Sequence, residues 1–393
     1  MKKQITYKYE FENSRGKDFL LSLLNKVFIL AISFLLYASV FLPIGLTTLK
    51  ETRVNLNASK EIVLNIGLES KLMHSDSKKE KVYSLTESYK YYVRTILRYD
   101  YECGDYDLVT DPDNYKLKQE EMDLFPLVSA YNDDFLGYFY VTYASAHTLV
   151  DYQGQTPSDY FKYEVLNIGD LEDGGVYFTN DGLNQYPHLK SEVRTALYRY
   201  VVLGSSDSSA SRIDSGFFTY FSKIYEKAGN ILLEYEPYKN AYDQYVSSYN
   251  KIYEYDTLTV YVGFFVSVLI VSIIVPLFNK HKQNLGQLVL RRVDLNSEEK
   301  MTPRIYLVKF IYDILRNFPT IAIFAFFVSQ EVLFGTLFSI GPLPVSLLVL
   351  ILIPLMMNIA SLMLGLIRHD TRNLLALINN TDNYQIKKSK VEE

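Results

Sequence analysis

The chain has little of what disulfide scaffolds and metal folds are built from: one cysteine, five histidines and no tryptophan in 393 residues. Cys103 has no partner within the chain, which excludes disulfide-built secreted domains, zinc fingers and iron–sulfur clusters. His74, His147 and His188 are far apart in sequence, and neither H-x-x-x-H nor H-E-x-x-H occurs. A G-x-S-x-G elbow is also missing, so Gly204-Ser205-Ser206 reads as a polar linker. Asp111-Pro112-Asp113-Asn114 opens like a calcium loop but lacks the glycine at the sixth position. Its twelfth position is Met122, so a turn is expected there. No catalytic constellation, cofactor or metal is expected. A pI near 5.7 without a basic stripe excludes nucleic acid as a partner. With 48% hydrophobic and 15% aromatic residues, disorder is excluded as well.

What is present is unevenly spread. Four long apolar runs crowd into the two ends of the chain. Val27–Thr47 and Leu258–Phe278 carry no charge, and at about 1.5 Å per residue each reaches roughly 31 Å, the thickness of a bilayer core. Phe318–Ile340 is interrupted only by Gln330 and Glu331, and Leu343–Ile367 contains Pro354 and Asn358 but no charge. The expected fold is an integral membrane protein: an α-helical bundle of four transmembrane helices plus an α+β extracytoplasmic domain. The long charged leader before the first run, with no A-x-A site after it, points to a retained anchor rather than a signal peptide.

Charge orients these spans. Residues 1–26 carry six Lys/Arg against three acids, the 279–317 loop eight against four, and the segment after Ile367 five against four. The stretch 50–256 carries 21 against 33. Basic flanks stay cytoplasmic. The expected organisation is therefore a cytoplasmic tail and first span over 1–49 and an extracytoplasmic domain with a helical stalk over 50–256. A membrane domain follows over 257–393, with spans near 257–279, 318–340 and 343–367, a cytoplasmic loop at 280–317 and a cytoplasmic tail at 368–393. The setting is a bacterial plasma membrane, with the bilayer itself as first partner.

The 50–256 region holds 28 of the 35 tyrosines. Many tyrosines suit recognition of a ligand or partner protein; the abundance of Lys, Asn, Ile and Tyr equally fits an AT-rich coding bias. Lys78–Tyr101 and His188–Leu203 read as helices, Leu124–Tyr131 with Phe135–Tyr143 as a hairpin around Asn132-Asp133-Asp134, and Val176–Phe178 as a short strand. Phe217–Tyr255 reads as one long helix in which Tyr235, Tyr238, Tyr242, Tyr245 and Tyr249 follow 3–4 spacing. That stripe fits either a stalk or a helix packed on its own domain, and Pro237 is placed to kink or split it.

After the second run comes an unusual order: Leu285-Gly286-Gln287, a β-type run ending at Arg292-Val293-Asp294, a polar turn, then Pro303 opening a helix that contains Lys309. The last run ends at Arg368-His369-Asp370, and the first is preceded by Lys17 and by Asn25. This order resembles the RDD family of small membrane proteins, with the 50–256 domain as an insertion between the first two spans. The resemblance implies that Lys17, Gly286, Arg292, Asp294, Lys309, His369 and Asp370 are motif residues and that transport of a ligand or ion is the activity. Asn25 stands where the family carries an aspartate, which leaves one intramembrane carboxylate fewer.

Polar groups at membrane depth are the other candidates, because an ionisable group in lipid needs a partner or a role. Glu331, beside Gln330, is either a site inside the bundle or an outer-surface residue after a span that stops near Val328. Asn358 reads as interhelical glue. Pro303–Asn317 reads as an interfacial amphipathic helix with snorkelling cations. The function expected is a non-enzymatic membrane component that transports a solute or supports a transport or secretion machine. The alternative is an extracytoplasmic sensor or partner-binding scaffold without transport.

Overall fold

The computed structural model describes residues 5–11, 15–75, 81–103, 135–179, 187–296, 303–341, 343–367 and 381–390. The chain divides into two compact units, one made of Met1–Arg53 with Tyr249–Glu393 and the other of Val54–Ser248.

The first unit is built on apolar helices. Arg15–Leu36 continues through a π-helical turn, Tyr37–Phe41, into Leu42–Thr48. Glu236–Leu269 continues through a second π-helical turn, Ile270–Ile274, into Val275–Phe278. Both rods, Gly16–Thr48 and Glu236–Phe278, are long and apolar enough to cross a membrane. They pack at small residues. The Ser33 and Ser267 hydroxyls meet at 2.9 Å, and each also bonds a carbonyl one turn back on its own helix. Phe264, Val268, Val271, Ile29, Ile321 and Phe324 fill the space between the helices.

The third apolar run is not one helix. Pro303–Asn317 ends before Phe318-Pro319, and Thr320–Val328 leaves it at a 55° bend. Pro319 has no N–H to continue the ladder, which accounts for the break. Taken as one span, this bent pair is a third candidate crossing. Beyond Val328 the run changes character. Ser329 is extended, Gln330–Phe334 is a short helix, and Thr336–Ile340 pairs with Leu343–Ser346 as a hairpin around Gly341 (φ +60°). The fourth run thus begins as a strand and becomes the helix Leu347–Ile367.

A three-stranded antiparallel sheet joins segments far apart in sequence. Thr381–Lys390 is its central strand, with Ile5–Phe11 on one edge and Arg292–Asn296 on the other. Val293, Leu295 and Ile386 form its small core. The β-type run read from Leu288 onwards is first a helix, Leu285–Leu290, and the strand begins only at Arg292.

Among the described residues the second unit is largely helical, with strands in two short ribbons, Met73–Ser75 with Val82–Ser84 and Phe178–Thr179 with His188–Leu189. Several expectations are corrected here. Phe135–Tyr143 is helical rather than a hairpin arm; its proposed partner, 124–131, lies outside the described residues. Residues 136, 139, 140 and 143 carry helical spacing, and Leu136, Phe139, Tyr140 and Tyr143 are all buried. Gly174–Tyr177 is a helical turn and only Phe178–Thr179 is strand. A side chain at Gly174 would run into the Leu166 carbonyl, which requires glycine there. The long tyrosine helix is two helices, Ser208–Glu234 and Glu236–Leu269, separated at Tyr235 just before Pro237.

Many tyrosines are core residues. Tyr89, Tyr92, Tyr140, Tyr143, Tyr198, Tyr220 and Tyr238 are buried, alongside Phe139, Phe161, Phe217 and Phe221. Tyr238 and Ala241 pack into this core, so the first turns of the tyrosine stripe serve their own unit.

Candidate functional site

The polar groups of the first unit are gathered in its interior. The helix Leu285–Leu290 starts at a capping box: the Asn284 carboxamide accepts from the Gln287 N–H at 2.9 Å, and the Gln287 side chain accepts from the Asn284 N–H at 3.0 Å. One residue inside, the Gly286 N–H donates to Asn25 Oδ1 at 3.1 Å. A Cβ at Gly286 would lie 2.5 Å from that oxygen and 2.9 Å from Leu21 Cδ1, so glycine is what lets this helix start dock on the Arg15–Leu36 helix. The helix ends at Arg291 in the left-handed region, φ +52°, and the chain turns into its strand.

Two ion pairs follow from that turn. Arg292, wholly buried, meets Asp18 at 2.8 Å, and Gln283 holds the Arg292 carbonyl at 2.6 Å. Asp294 accepts from Lys309 at 2.9 Å and from the Gln287 amide at 2.7 Å, while Lys309 also donates to Gln287 Oε1 at 3.1 Å. Gln287 is therefore fixed in orientation: its oxygen faces donors and its nitrogen faces the carboxylate. Burial alone would push the Asp294 carboxyl up. The Lys309 ammonium, the hydrogen bonds from Lys309 and Gln287, and the Arg292 charge more than offset this and hold it below the ordinary carboxylate range.

The helix Pro303–Asn317 carries the network deeper. Lys309, Asp313 and Asn317 recur every four residues and are 5%, 4% and 2% exposed, whereas Leu307 and Ile311 are 61% and 50% exposed. This corrects the interfacial reading: the helix turns its polar stripe inward and its apolar face outward, and Lys309 is paired rather than snorkelling. Asp313 Oδ2 accepts from Ser272 at 2.8 Å, and Ser272 sits in the π-helical turn Ile270–Ile274. The Asn317 amide donates to the Asp313 carbonyl at 2.7 Å, Thr320 to the Asn317 carbonyl at 2.7 Å, and Asn358 to the Arg316 carbonyl at 3.3 Å.

Four residues picked from the motif order, Gly286, Arg292, Asp294 and Lys309, meet here, and Asn25 joins them. Lys17 is half-buried, and it is its neighbour Asp18 that pairs with Arg292. Asn358 bridges two helices at the far side of the Pro303–Asn317 helix. Gln330 and Glu331 are elsewhere. The helix stops at Val328, and both are exposed in the first turn of Gln330–Phe334, with Ser329 Oγ 3.5 Å from Glu331. His369 and Asp370 lie outside the described residues. Asp18, Gln283, Ser272, Asp313 and Asn317 were not singled out from the sequence. The four-residue spacing 309–313–317 in an apolar helix was the available signal for the last two.

Among the described residues no group of three His, Cys, Asp or Glu side chains is placed to hold a metal ion. The arrangement is two ion pairs knit by Gln283 and Gln287, with one further buried carboxylate, Asp313, a helical turn from Lys309. No family model, no curated protein and no solved structure matches the chain.

Proposed function

We propose that this chain is a four-span plasma-membrane protein, RDD-like in its membrane unit. Both termini and the loop from 280 to the start of the bent pair at Leu307 would be cytoplasmic, and the central unit would be an extracytoplasmic recognition domain that meets a protein partner or ligand. The membrane unit transports a solute or supports a transport or secretion machine. The observation that carries the reading is the set of charges Arg292, Lys309 and Asp313, buried, with half-buried Asp18 and Asp294 as partners, in a unit whose helices turn apolar residues outward. Charged groups are expensive at such a place and are kept there for a role.

The three-stranded sheet supports the span number by parity. The strand before the first run and the strand between the second and third both pair with the strand after the fourth, so all three share one side of any membrane. Two crossings by the long rods keep Ile5–Phe11 and Arg292–Asn296 on that side. The pairing of both with Thr381–Lys390 then requires that the bent pair and the Leu347–Ile367 helix either both cross or neither does. Their apolar character favours crossing.

A sensor or scaffold without transport is favoured by one specific feature: Asp18 with Arg292 and Asp294 with Lys309 are already matched, as in a structural clamp. Reconstitution separates the two. The full chain in proteoliposomes, loaded with a pH-sensitive dye and given proton, Na+ or K+ gradients, is expected to pass an ion above protein-free vesicles. Lys309→Met is expected to lower that flux at least tenfold. Folded wild type that passes none of these ions favours the scaffold.

A further inference from the structure

The buried charges of the first unit do not come out even. Asp18 is answered by Arg292 and Asp294 by Lys309, each at about 2.9 Å or less. Asp313 is the carboxylate left over. It is 4% exposed and makes no ion pair among the described residues; its one side-chain hydrogen bond is from the Ser272 hydroxyl. The π-helical turn Ile270–Ile274 and the helix Leu347–Ile367 pack against its helix, and neither contains a charged residue. The charged groups that face it are Lys309, already engaged by Asp294 and Gln287, half-buried Arg316 on its own helix, and Asp294 itself. Lys26 on the first helix faces Arg316.

A second observation stands one turn away. Asn317 is 2% exposed, and its Oδ1 is a buried acceptor without a donor, while its amide nitrogen is used on the Asp313 carbonyl. A buried acceptor without a donor is costly, and so is a buried carboxylate without a cation. A proton on the Asp313 carboxyl would remove its charge and offer a donor one helical turn from the Asn317 acceptor.

We propose that Asp313, Ser272 and Asn317 form a proton-binding site inside the membrane unit. Asp313 Oδ1 takes a proton from water and presents O–H toward the Asn317 acceptor, while Oδ2 keeps its bond from Ser272. Release returns the proton to water, with no other bond made or broken. The inference rests on the membrane reading of this unit and gives it a coupling ion. The Pro303–Asn317 helix is bent off at Pro319, and the opposing helix is π-helical at Ser272. Both walls of the site are thus places where the regular ladder is interrupted, a setting in which π-helical turns recur at functional sites.

The test is pH-stepped infrared difference spectroscopy on the full chain in lipid nanodiscs, reading the carbonyl stretch of protonated carboxyl groups. Wild type is expected to show such a band at neutral pH. Asp313→Asn, which is isosteric, should remove it, and Asp313→Glu should keep it. Ser272→Ala should shift it to higher wavenumber, because the carbonyl oxygen loses its donor. Sodium chloride added at fixed pH should leave it unchanged. Absence of any protonated carboxyl band in folded wild type, or its survival in Asp313→Asn, would overturn the proposal. Loss of the band on adding sodium would identify a cation site and overturn it too. If the band behaves as expected while proteoliposomes pass no protons, the transport reading fails and the binding site stands.

Discussion

The two units differ in what they bury beside their apolar residues. In Val54–Ser248 the interior is a continuous aromatic core, with Tyr92, Phe139, Tyr140, Phe161 and Phe217 nearly inaccessible. In the other unit the fully buried side chains include Arg292, and Lys309, Asp313, Asn317 and Gln287 are buried with it. Phe278, Met356, Phe19 and Phe327 lie on its outside, at 90%, 70%, 69% and 68% exposed. The same physical rule yields both. Apolar groups leave water for a core when the surroundings are water, and polar groups leave lipid for one another when the surroundings are hydrocarbon. Burial alone is thus no guide to a residue's character until the solvent is known.

The largest expected effect attacks the polar interior. Arg292→Leu leaves half-buried Asp18 without its cation, and a loss of about 3 kcal/mol, the low end for breaking a buried pair, is expected, read as a lower thermal midpoint of the solubilised full chain. If that change is silent, the first unit is not held by its charges and the contrast fails. In the aromatic unit, Leu136→Ala removes a wholly buried side chain and should cost roughly 3 kcal/mol in the same assay. Next in size, Gly286→Ala forces a methyl against Asn25 and Leu21. It should cost about 1–3 kcal/mol, and pairing it with Asn25→Ala should recover part of that loss.

The smallest effects are in pH, and they run in opposite directions. Asp294 is held below the ordinary carboxylate range, so it contributes stability above its unfolded value near about 3.9 and loses it as pH falls through its folded value. Burial raises the Asp214 carboxyl, against hydrogen bonding from Tyr89 and the charge of Lys90. Its contribution is complete below about 3.9 and is lost as pH rises through its folded value. Hydrogen exchange across the pH range should therefore show acid loosening around Lys309 and alkaline loosening around Tyr89. A common direction at both places would contradict the assignment of partners.

The sequence made some of this legible and hid the rest for definable reasons. Long apolar runs need no partner to be recognised, so Val27–Thr47 and Leu258–Phe278 were found as helices. The third run was not, because Pro319 and Ser329 break it, and a hydropathy count is blind to breaks. Pro303–Asn317 was seen to be amphipathic, yet periodicity does not say which face meets lipid. Only Asp294 and Ser272, supplied by other elements, turn the polar stripe inward. Phe135–Tyr143 shows period two to the eye, and its helix is decided by where Leu136, Phe139, Tyr140 and Tyr143 must point to reach the core. Of the network, Gly286, Arg292, Asp294 and Lys309 were picked out by their order, while Asp18 was hidden beside Lys17. The sheet strands Ile5–Phe11 and Thr381–Lys390 were invisible, since each depends on a partner hundreds of residues away.

That sheet carries a consequence for how the chain is made. Its central strand, Thr381–Lys390, is the one that comes last in sequence, and the two strands it joins are edges that do not pair with each other. During synthesis Ile5–Phe11 and Arg292–Asn296 therefore lack this sheet partner until Thr381–Lys390 has emerged, and both present open hydrogen-bonding edges in the interval. Among the described residues the pairing of Ile5–Phe11 with Thr381–Lys390 spans more of the sequence than any other in the sheets, so it forms late. A chain cut before Thr381 would lose the middle of the sheet rather than its margin, and with it the element that ties Ile5–Phe11 to Arg292–Asn296.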